Sequence, residues 1–345
     1  MSGTELTAAP LAQRTTLRLG GPASRLVVVH SEADLVDAVR TADAAGDPVL
    51  VLGRGSNVVI ADEGFDGLVV QIATRGVQRS AGDLTIAAGE DWDDVVALAV
   101  EDGLAGIEAL SGIPGLVGAT PIQNVGAYGQ EVAQTVTAVR VLERTTRQVV
   151  TMAPADCRFS YRHSRFKGND EYVVLSVAFG LEPSATSRPV RYAELARRLG
   201  VAVGASAPLT EVRQAVLDLR RAKGMVLDPG DYDTWSAGSF FTNPVLTRDD
   251  ADRLLPSEVP HWDEPDGRLK VSAAWLIEHA GFGKGYRGTD GTAVQVSSKH
   301  SLALTNRGSA STADLLTLAR EIRDGVRDRF GIELTAEPVL VGCSL

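Results

Sequence analysis

Residues 112–129 read GIPGLVGATPIQNVGAYG, and this stretch weighs most in the prediction of the fold. It holds five glycines and two prolines, so it is too irregular for a helix or a strand. It is also too apolar for an exposed linker, and we therefore predict a folded loop that packs against the rest of the protein. The glycines around Gln123 and Asn124 would let the backbone approach a flat, hydrogen-bonding ligand closely.

A second glycine-rich turn, LGRGSN at residues 52–57, lies between two short predicted strands. Consecutive backbone N–H groups can converge on an anion there, and Ser56 and Asn57 add side-chain donors, so a diphosphate could bind. An ordinary tight turn explains the same residues. No GxGxxG lies between a strand and a helix and no GxxxxGK[ST] is present, so neither a Rossmann dinucleotide site nor a P-loop is supported. Two such loops together predict a large cofactor between lobes.

Length and composition limit the class of protein. The chain has 345 residues, which predicts two or three domains. Hydrophobic residues at 44% and charged residues at 23% are typical of a folded globular protein. The 44 acidic and 34 basic side chains give a net charge of −10, which argues against nucleic acid as a partner because that binding depends on Lys and Arg neutralising phosphates.

The sequence also lacks the signals of membrane insertion, secretion and metal binding. No apolar stretch approaches the length of a membrane helix, and the first twenty residues show no secretory pattern. Cys157 and Cys343 lie far apart without CxxC spacing, so we predict no disulfide framework and no metal site. We expect a cytoplasmic protein.

Capping residues, terminal glycines and apolar periodicity predict an α+β fold of three lobes. The predicted elements are a helix from Ser31 to Gly46, strands at 49–52, 58–60, 68–72 and 84–88, a helix from Asp91 closed by Gly103, strands at 136–142 and 172–181, a helix opened by Thr210 that reaches Lys223, a helix near 270–280, a strand at 302–304, a helix at 312–330 that stops at Gly331, and a strand-like end at 333–342.

Five segments resemble the UDP-N-acetylenolpyruvoylglucosamine reductases, the MurB family of peptidoglycan precursor synthesis, in order and approximate spacing. They are GRGSNVVI (53–60), GIPGLVGATPIQNVGAYG (112–129), CRFSYRHSRFK (157–167), AGSFFTNP (237–244) and AEPVLVG (336–342). TTLRLGGPA (15–23) also resembles the family's N-terminal signature. The similarity extends from about Thr15 to Gly342, and GATPIQNVGAYG and AGSFF are its most specific parts.

The resemblance implies two flavin-binding lobes of the vanillyl-alcohol-oxidase (PCMH) type and a separate α+β substrate domain. We place the lobes at 1–76, to which 333–345 returns, and at 77–223, and the substrate domain at 224–332. The family reaction is reduction of a noncovalent FAD by NADPH, then hydride transfer from flavin N5 to UDP-N-acetylglucosamine enolpyruvate, giving UDP-N-acetylmuramate. The resemblance thus implies an FAD-dependent oxidoreductase of cell-wall biogenesis, cell shape and division. We expect it to act as a monomer on small-molecule substrates.

Three residues match the family's catalytic positions: Arg162 in FSYRHS, Ser239 in AGSFF and Glu337 in AEPV. Hydride addition to the enol ether leaves negative charge that delocalises into the substrate carboxylate. Arg162 would hold this carboxylate with its planar guanidinium, Ser239 would donate the proton, and Glu337 would orient or protonate the carboxylate. Without the resemblance, isolated Arg, Ser and Glu residues are usually structural or solvated.

The resemblance also implies the binding residues. The cofactor-binding residues are Gly53, Arg54, Gly55, Ser56, Asn57, Val58, Ile113, Pro114, Gly118, Ala119, Thr120, Pro121, Gln123, Asn124, Gly126, Ala127 and Tyr128. The substrate-binding residues are Tyr161, Tyr192, Lys223, Asn243, Lys270 and Lys284. Tyr192 matches the substrate-closing tyrosine of the type I subgroup, and Lys223 and Asn243 match residues near the diphosphate.

Two positions depart from the commoner family pattern, and two alternatives stay open. Thr242 stands where a lysine is frequent, and His300 lies near a position where other members carry glutamine, so both could alter nucleotide contacts. One alternative is a flavoprotein oxidase of alcohols or aldonolactones from the same FAD-binding superfamily, against which AGSFF, Arg162 and Glu337 argue. The other is a non-catalytic flavin or nucleotide-sugar binding protein.

Overall fold

Eight α-helices lie within residues 5–80, 82–289 and 291–345, the parts of the chain that this computed structural model describes. They are α1 (Glu32–Ala45), α2 (Trp92–Glu101), α3 (Pro154–Cys157), α4 (Ala193–Leu199), α5 (Leu209–Ala222), α6 (Arg248–Leu254), α7 (Ala273–His279) and α8 (Thr312–Phe330). Short 3-10 helices lie at Ala12–Arg14, Glu108–Leu110, Val117–Ala119, Val132–Gln134 and Tyr232–Thr234.

Strands in the same described ranges form several small sheets. They are β1 (Glu5–Pro10), β2 (Pro22–Val29), β3 (Val49–Leu52), β4 (Val58–Ile60), β5 (Phe65–Ile72), β6 (Val77–Ser80), β7 (Asp83–Ala87), β8 (Leu104–Ala105), β9 (Gly126–Ala127), β10 (Gln130–Glu131), β11 (Val136–Glu143), β12 (Gln148–Met152), β13 (Tyr172–Gly180), β14 (Glu182–Pro183), β15 (Val245–Leu246), β16 (His261–Asp263), β17 (Leu269–Val271), β18 (Val294–Val296), β19 (Leu304–Asn306) and β20 (Val339–Val341). The mixed helix and strand content confirms the predicted α+β class.

The helices whose ends carry strong local signals begin and end where the sequence predicts. The Ser31 hydroxyl accepts the N–H of Asp34, and Gly46 closes α1 with a left-handed φ of +74°. Ser311 caps α8 through the N–H of Asp314, and Gly331 ends it at φ +70°. Asp91 caps α2 through the N–H of Asp93.

Where local signals are weaker, the predicted bounds of the elements are wrong. The predicted opening of a helix by Thr210 is wrong, because α5 begins at Leu209 after Pro208 and has no side-chain cap. The strand predicted at 302–304 is β19, which lies two residues later. Only Val339–Val341 of the strand-like end forms a strand. The short elements α4 and α6 and strands β1 and β2 were not predicted, since they carry little periodicity.

The chain divides into two compact units. Unit 1 comprises Met1–Ala9, Ala23–Arg54 and Asp66–Val226, and unit 2 comprises Pro10–Pro22, Gly55–Phe65 and Leu227–Leu345. The lobe boundaries given above, at 76, 223 and 332, stay a prediction. None of the helices in the described ranges is long and apolar enough to cross a membrane.

Unit 1 is built on two sheets and the loop that follows α2. One sheet has the order β1-β2-β5-β3 and the other the order β12-β11-β13-β7-β6. Buried residues of α1, such as Leu35 and Val39, pack in one cluster with residues of both sheets. A second apolar cluster is formed where α2 and the loop pack against β11 and β13, and it includes Trp92, Leu110 and Val117. The predicted folded loop therefore lies in the core of unit 1.

Unit 2 is organised around α7 and α8. Buried side chains of these helices, of β18 and β19, and of Phe240 and Phe241 form one apolar cluster. Three small sheets surround it, with the orders β15-β17-β16, β18-β19 and β20-β4. The β20-β4 pair is parallel and joins Val339–Val341 near the C-terminus to Val58–Ile60.

Candidate active site

Ser239 and Glu337 lie on two segments of unit 2 that pair with each other. The N–H of Glu337 donates to the carbonyl of Phe240 at 2.8 Å, and the N–H of Thr242 donates to the carbonyl of Thr335 at 3.1 Å. Phe240 and Phe241 are each 1% exposed, with ring centroids 5.1 Å apart. The two phenylalanines thus anchor the AGSFF segment in the core and leave Ser239 and Glu337, both half-buried, at neighbouring positions of the pair.

The end of the 53–58 turn meets the same pair. The N–H of Val339, two residues after Glu337, donates to the carbonyl of Asn57 at 3.0 Å, and Val58 is its partner in the parallel β20-β4 ladder. Two predicted catalytic residues and the last predicted cofactor residues of the turn therefore lie together in unit 2.

Gly55 shows why this turn needs glycine. Its φ is +60°, and a Cβ there would lie 2.4 Å from the carbonyl oxygen of Arg14 and 2.7 Å from the Cα of Thr15. Its carbonyl accepts the N–H of Thr16 at 3.1 Å. The TTLRLGG segment, which the resemblance singles out, thus packs directly on the turn. Within the described ranges, the N–H groups of Gly55 and Ser56 donate to no protein acceptor.

Arg162 occupies the tip of a tight turn in unit 1. Ser160 and His163 exchange backbone hydrogen bonds of 3.0 and 3.2 Å, and Arg162 adopts a left-handed φ of +50°. Its Nη2 donates to the carbonyl of Gly126 at 2.6 Å, and its guanidinium lies 5.2 Å from the ring centroid of Tyr161. Predicted catalytic, cofactor and substrate residues are thus in contact here.

Contacts from α2 and α5 hold the 112–120 segment in unit 1. The N–H of Gly112 donates to Asp93 at 2.6 Å, and Arg213 donates two hydrogen bonds of 2.6 and 3.0 Å to the same carboxylate. Burial alone would raise the pKa of Asp93, but the hydrogen bonds from Arg213 and Gly112 hold that pKa below its usual value. Gly118 permits close packing, since a Cβ there would lie 2.5 Å from the Cβ of Ala88.

Tyr128, Tyr192 and Lys223 form a second contact group in unit 1. The two tyrosine rings meet edge to face at 5.4 Å, and the Lys223 ammonium lies 5.9 Å from the centroid of Tyr128. Glu194, in the first turn of α4, accepts a hydrogen bond of 2.6 Å from Lys223. Tyr192 is 40% exposed. Burial raises the pKa of Tyr128 to about 12, so its hydroxyl stays protonated at neutral pH.

A buried arginine lies beside this group. Burial lowers the pKa of Arg220 to about 10, which leaves the guanidinium charged at neutral pH, and Nη2 donates to the carbonyl of Met225 at 2.8 Å. Its Nε is buried and has no hydrogen-bond partner in the described ranges. Arg220 and Lys223, one turn apart at the end of α5, therefore place two positive charges in this part of unit 1, of which Lys223 is paired with Glu194.

The three predicted substrate-binding residues of unit 2 have different surroundings. Asn243 accepts the N–H of Ala273 at 3.0 Å, so it anchors the start of α7. Lys270 donates to Glu264 at 2.6 Å, and Lys284 is exposed. None of these contacts joins one of the three residues to another.

Arg162 belongs to unit 1, and Ser239 and Glu337 belong to unit 2. The convergence of all three on one substrate stays a prediction. Of the remaining predicted cofactor residues, Arg54 pairs with Asp91 at 3.2 Å, and Thr120 bonds to the carbonyl of Val117 at 2.8 Å. Ile113, Pro114, Ala119 and Gln123 are half-buried, and Pro121 is buried.

Three residues that no motif singles out contact the matched motifs: Asp93 accepts from Gly112, Glu131 accepts from Asn124 at 2.8 Å, and Glu194 accepts from Lys223. Glu131 follows GAYGQ directly, and Glu194 lies two residues after Tyr192, so their position beside matched motifs was the available signal. Asp93 lies in the first turn of a correctly predicted helix, but its partner Arg213 is 120 residues away. No cluster of three or more His, Cys, Asp or Glu side chains suited to a metal ion is found in the described ranges.

Comparisons with known proteins match both halves of the chain. The family model described as UDP-N-acetylenolpyruvoylglucosamine reductase, C-terminal domain, matches residues 228–341. The model described as FAD binding domain matches residues 23–151. The two matches cover the residues that carry the contacts described above, except for those before residue 23 and those between 152 and 227.

Full-length relatives and a solved structure agree with these matches. The UDP-N-acetylenolpyruvoylglucosamine reductase of Saccharopolyspora erythraea is 57% identical over 97% of this chain and 95% of that protein. The protein of the same name from Streptomyces coelicolor is 56% identical over 99% of this chain and 91% of its own length. The crystal structure of UDP-N-acetylenolpyruvylglucosamine reductase from Thermus caldophilus aligns with a TM-score of 0.67 and 26% identity over 99% of each chain. The chain therefore belongs to the UDP-N-acetylenolpyruvoylglucosamine reductase family.

Proposed function

We propose that this protein reduces UDP-N-acetylglucosamine enolpyruvate to UDP-N-acetylmuramate in peptidoglycan synthesis, with NADPH as the source of the hydride and Ser239 as the proton donor. The observation that carries the proposal is the pairing of the AGSFF and AEPV segments beside the 53–58 turn. Through it, the backbone segments that carry Ser239 and Glu337 lie beside the end of a glycine-rich turn in unit 2. The protein is an FAD-dependent oxidoreductase.

The residues of the glycine-rich turn fit the diphosphate of FAD. The N–H groups of Gly55 and Ser56 donate to no protein acceptor in the described part of the chain, and a positive φ at Gly55 is the conformation in which successive N–H groups can face an anion. In unit 1, Gly126 and the left-handed Asn124 and Tyr128 fix the loop from which further cofactor contacts would come. When bound, FAD supplies the hydride that it takes from NADPH to the enolpyruvyl double bond.

Arg162 would hold the substrate carboxylate. Its guanidinium is half-buried and donates through Nη2 to the Gly126 carbonyl, which fixes its position. A permanently charged guanidinium stabilises the carboxylate as negative charge spreads into it.

Ser239 would deliver the proton to the carbon next to the carboxylate, and Glu337 would orient that carboxylate. The overall change adds a hydride to one carbon of the double bond and a proton to the other. The serine oxygen must then recover a proton, which a positioned carboxyl group or relay can supply. Glu337 is suited to orienting the carboxylate because its backbone is tied to Phe240, the neighbour of Ser239.

Lys223, Tyr192, Asn243, Lys270 and Lys284 would bind the nucleotide sugar. The positive charge of Lys223 and Arg220 in unit 1 supports an anionic ligand near Tyr128 and Tyr192. Action as a monomer in the cytoplasm on soluble nucleotide substrates completes the proposal.

Two half-reactions on the purified FAD-loaded protein test this function. We expect NADPH to bleach the visible absorbance of the flavin in the absence of oxygen, and the enolpyruvyl substrate to restore it with one equivalent of UDP-N-acetylmuramate. UDP-N-acetylglucosamine, which lacks the double bond, is the control and should restore nothing. A flavin that NADPH reduces but the enolpyruvyl substrate leaves bleached would contradict the proposal and favour the oxidase or binding-protein alternatives.

A further inference from the structure

Three non-glycine residues with left-handed backbones lie close together in unit 1. Asn124, Tyr128 and Arg162 have φ values of +47°, +49° and +50°. Across the described ranges, only seven non-glycine residues have positive φ. Residues with a Cβ persist in this conformation where their surroundings fix it, and such sites cluster at functional positions. The contacts that fix Arg162 are therefore of interest.

The side chain of Asn124 is fully engaged within the protein. Its Nδ2 donates to Glu131 Oε2 at 2.8 Å and to the carbonyl of Ser160 at 3.0 Å. Its Oδ1 accepts the N–H of Ala133 at 3.1 Å, and the residue is 1% exposed. Both amide hydrogens and the amide oxygen thus join the 121–128 loop to Glu131 and to the turn of Arg162. An amide used in this way acts through its protein partners.

Arg162 is held at its backbone and at the end of its side chain. Ser160, which accepts from Asn124, forms the base of the two-residue turn whose tip is Tyr161 and Arg162. At the other end of the side chain, the guanidinium donates to the Gly126 carbonyl at 2.6 Å. A Cβ at Gly126 would lie 2.8 Å from the Cγ of Glu131 and 3.0 Å from Nη1 of Arg162, so Glu131 packs directly on this residue.

We propose that Asn124 and Glu131 are positioning residues that set the location of the Arg162 guanidinium. The inference rests on the proposed role of Arg162 in holding the substrate carboxylate. Asn124 fixes the backbone of the turn, and Glu131 fixes both the Asn124 amide and the segment whose carbonyl receives the guanidinium. A misplacement of about 1 Å in such a group costs about 10²-fold in rate. Because the Asn124 side chain is engaged within the protein, its predicted contact with the cofactor would be made by its backbone.

Asn124→Gly tests the proposal most directly. Glycine removes the three side-chain hydrogen bonds but tolerates the left-handed backbone. In the FAD-loaded variant we expect reoxidation of the reduced flavin by the enolpyruvyl substrate to be about 10 to 100-fold slower. Reduction by NADPH should be slowed much less than reoxidation, because Arg162 acts only on the enolpyruvyl carboxylate.

Asn169→Gly is the matched control. The Asn169 amide also donates to a backbone carbonyl and a glutamate, those of Arg165 and Glu171, at 3.2 and 3.4 Å. Its bonds stay within residues 165–171, so we expect both half-reactions of this variant to match wild type.

A double-mutant cycle with Arg162→Ala separates positioning from general support of the fold. If Asn124 acts through Arg162, adding Asn124→Gly to Arg162→Ala should slow reoxidation by less than about 2-fold. An equally large effect in both backgrounds, or equal losses in the two half-reactions of Asn124→Gly, would overturn the inference. Reoxidation of Arg162→Ala at the wild-type rate would instead contradict the proposed function.

A charge-neutral exchange provides a second route if Asn124→Gly loses FAD. The double variant Asn124→Asp, Glu131→Gln keeps the volume and net charge and reverses the donor and acceptor between the two side chains, while the Ser160 carbonyl loses its donor. Reoxidation should be faster than in Asn124→Asp alone, in which two carboxylates face each other. Equal rates in the two variants would show that the pair does not act as a unit.

Discussion

The Lys223 ammonium lies 2.6 Å from the Glu194 carboxylate, so a lysine proposed to bind the substrate diphosphate already has an anionic partner. The two side chains are 31% and 36% exposed, which makes the pair accessible to a ligand. An incoming diphosphate must compete with Glu194 for Lys223 or accept the nearby carboxylate charge. We therefore expect Glu194 to weaken the binding of an anionic ligand at this position.

Glu194→Gln should lower KM for the enolpyruvyl substrate. Because partly exposed ion pairs are weak, we expect a decrease of about 1.5 to 5-fold with kcat little changed. Steady-state kinetics at constant ionic strength measures this, and Glu211→Gln, an exposed glutamate on α5, is the control. An increase in KM would show that Glu194 supports the site instead of competing for Lys223.

Asp93 links α2 to α5 and to the start of the 112–129 loop, so its removal should destabilise unit 1. Asp93→Asn leaves an amide facing Arg213, and we expect the free energy of unfolding near neutral pH to fall by about 1–3 kcal/mol. Because the folded-state pKa of Asp93 lies below its unfolded value, this contribution is present above the unfolded pKa and is lost as the pH falls through the folded-state pKa.

Urea unfolding at neutral and at acidic pH checks both parts of this expectation. The difference between wild type and Asp93→Asn should shrink in acid, whereas Asp94→Asn, an exposed neighbour, should resemble wild type at both pH values. A difference that is the same at both pH values would mean that the charge of Asp93 is not what stabilises the loop.

Gly55→Ala should disrupt the turn that is proposed to hold the FAD diphosphate. The added Cβ would lie 2.4 Å from the Arg14 carbonyl oxygen, which is a steric clash. This clash adds to the cost of a left-handed backbone at a residue with a Cβ. Gly267→Ala has a similar φ of +84° but no atom within 4 Å of the new Cβ, so it isolates the backbone cost of about 1–2 kcal/mol.

Thermal unfolding and the FAD content after purification compare the two alanine variants. We expect Gly55→Ala to lose more stability than Gly267→Ala and to lose bound FAD as well. Equal stability losses with full FAD content in both would contradict the assignment of this turn to the cofactor.

The sequence predicted elements best where local chemistry alone defines them. Ser31 and Gly46 cap the two ends of α1, and Ser311 and Gly331 cap those of α8, through hydrogen bonds to residues nearby in sequence. The bounds of both helices can therefore be predicted from these local residues. The start of α5 was misplaced because Pro208 and Leu209 supply no capping side chain. Short elements such as α4 owe their structure to packing, which leaves little periodic signal.

The residues of the candidate site likewise fall into those that the sequence could predict and those that it could not. Motifs marked Arg162, Ser239, Glu337 and the two glycine-rich loops, because these residues lie in distinctive local sequences. Pairings across long separations, such as Asp93 with Arg213, could not be predicted, since side chains of ordinary type gain their roles only when the fold brings them together. The backbone bond between Glu337 and Phe240 is a further example, because neither segment specifies its partner.

Ser239→Ala, followed through the two half-reactions of the FAD-loaded enzyme, tests the central claim most directly. The account predicts that NADPH still reduces the flavin at a rate close to wild type, while reoxidation by UDP-N-acetylglucosamine enolpyruvate slows by about 10²–10⁴-fold because the proton donor is missing. Reoxidation at the wild-type rate, or equal slowing of both half-reactions, would contradict the assignment of Ser239 as the proton donor.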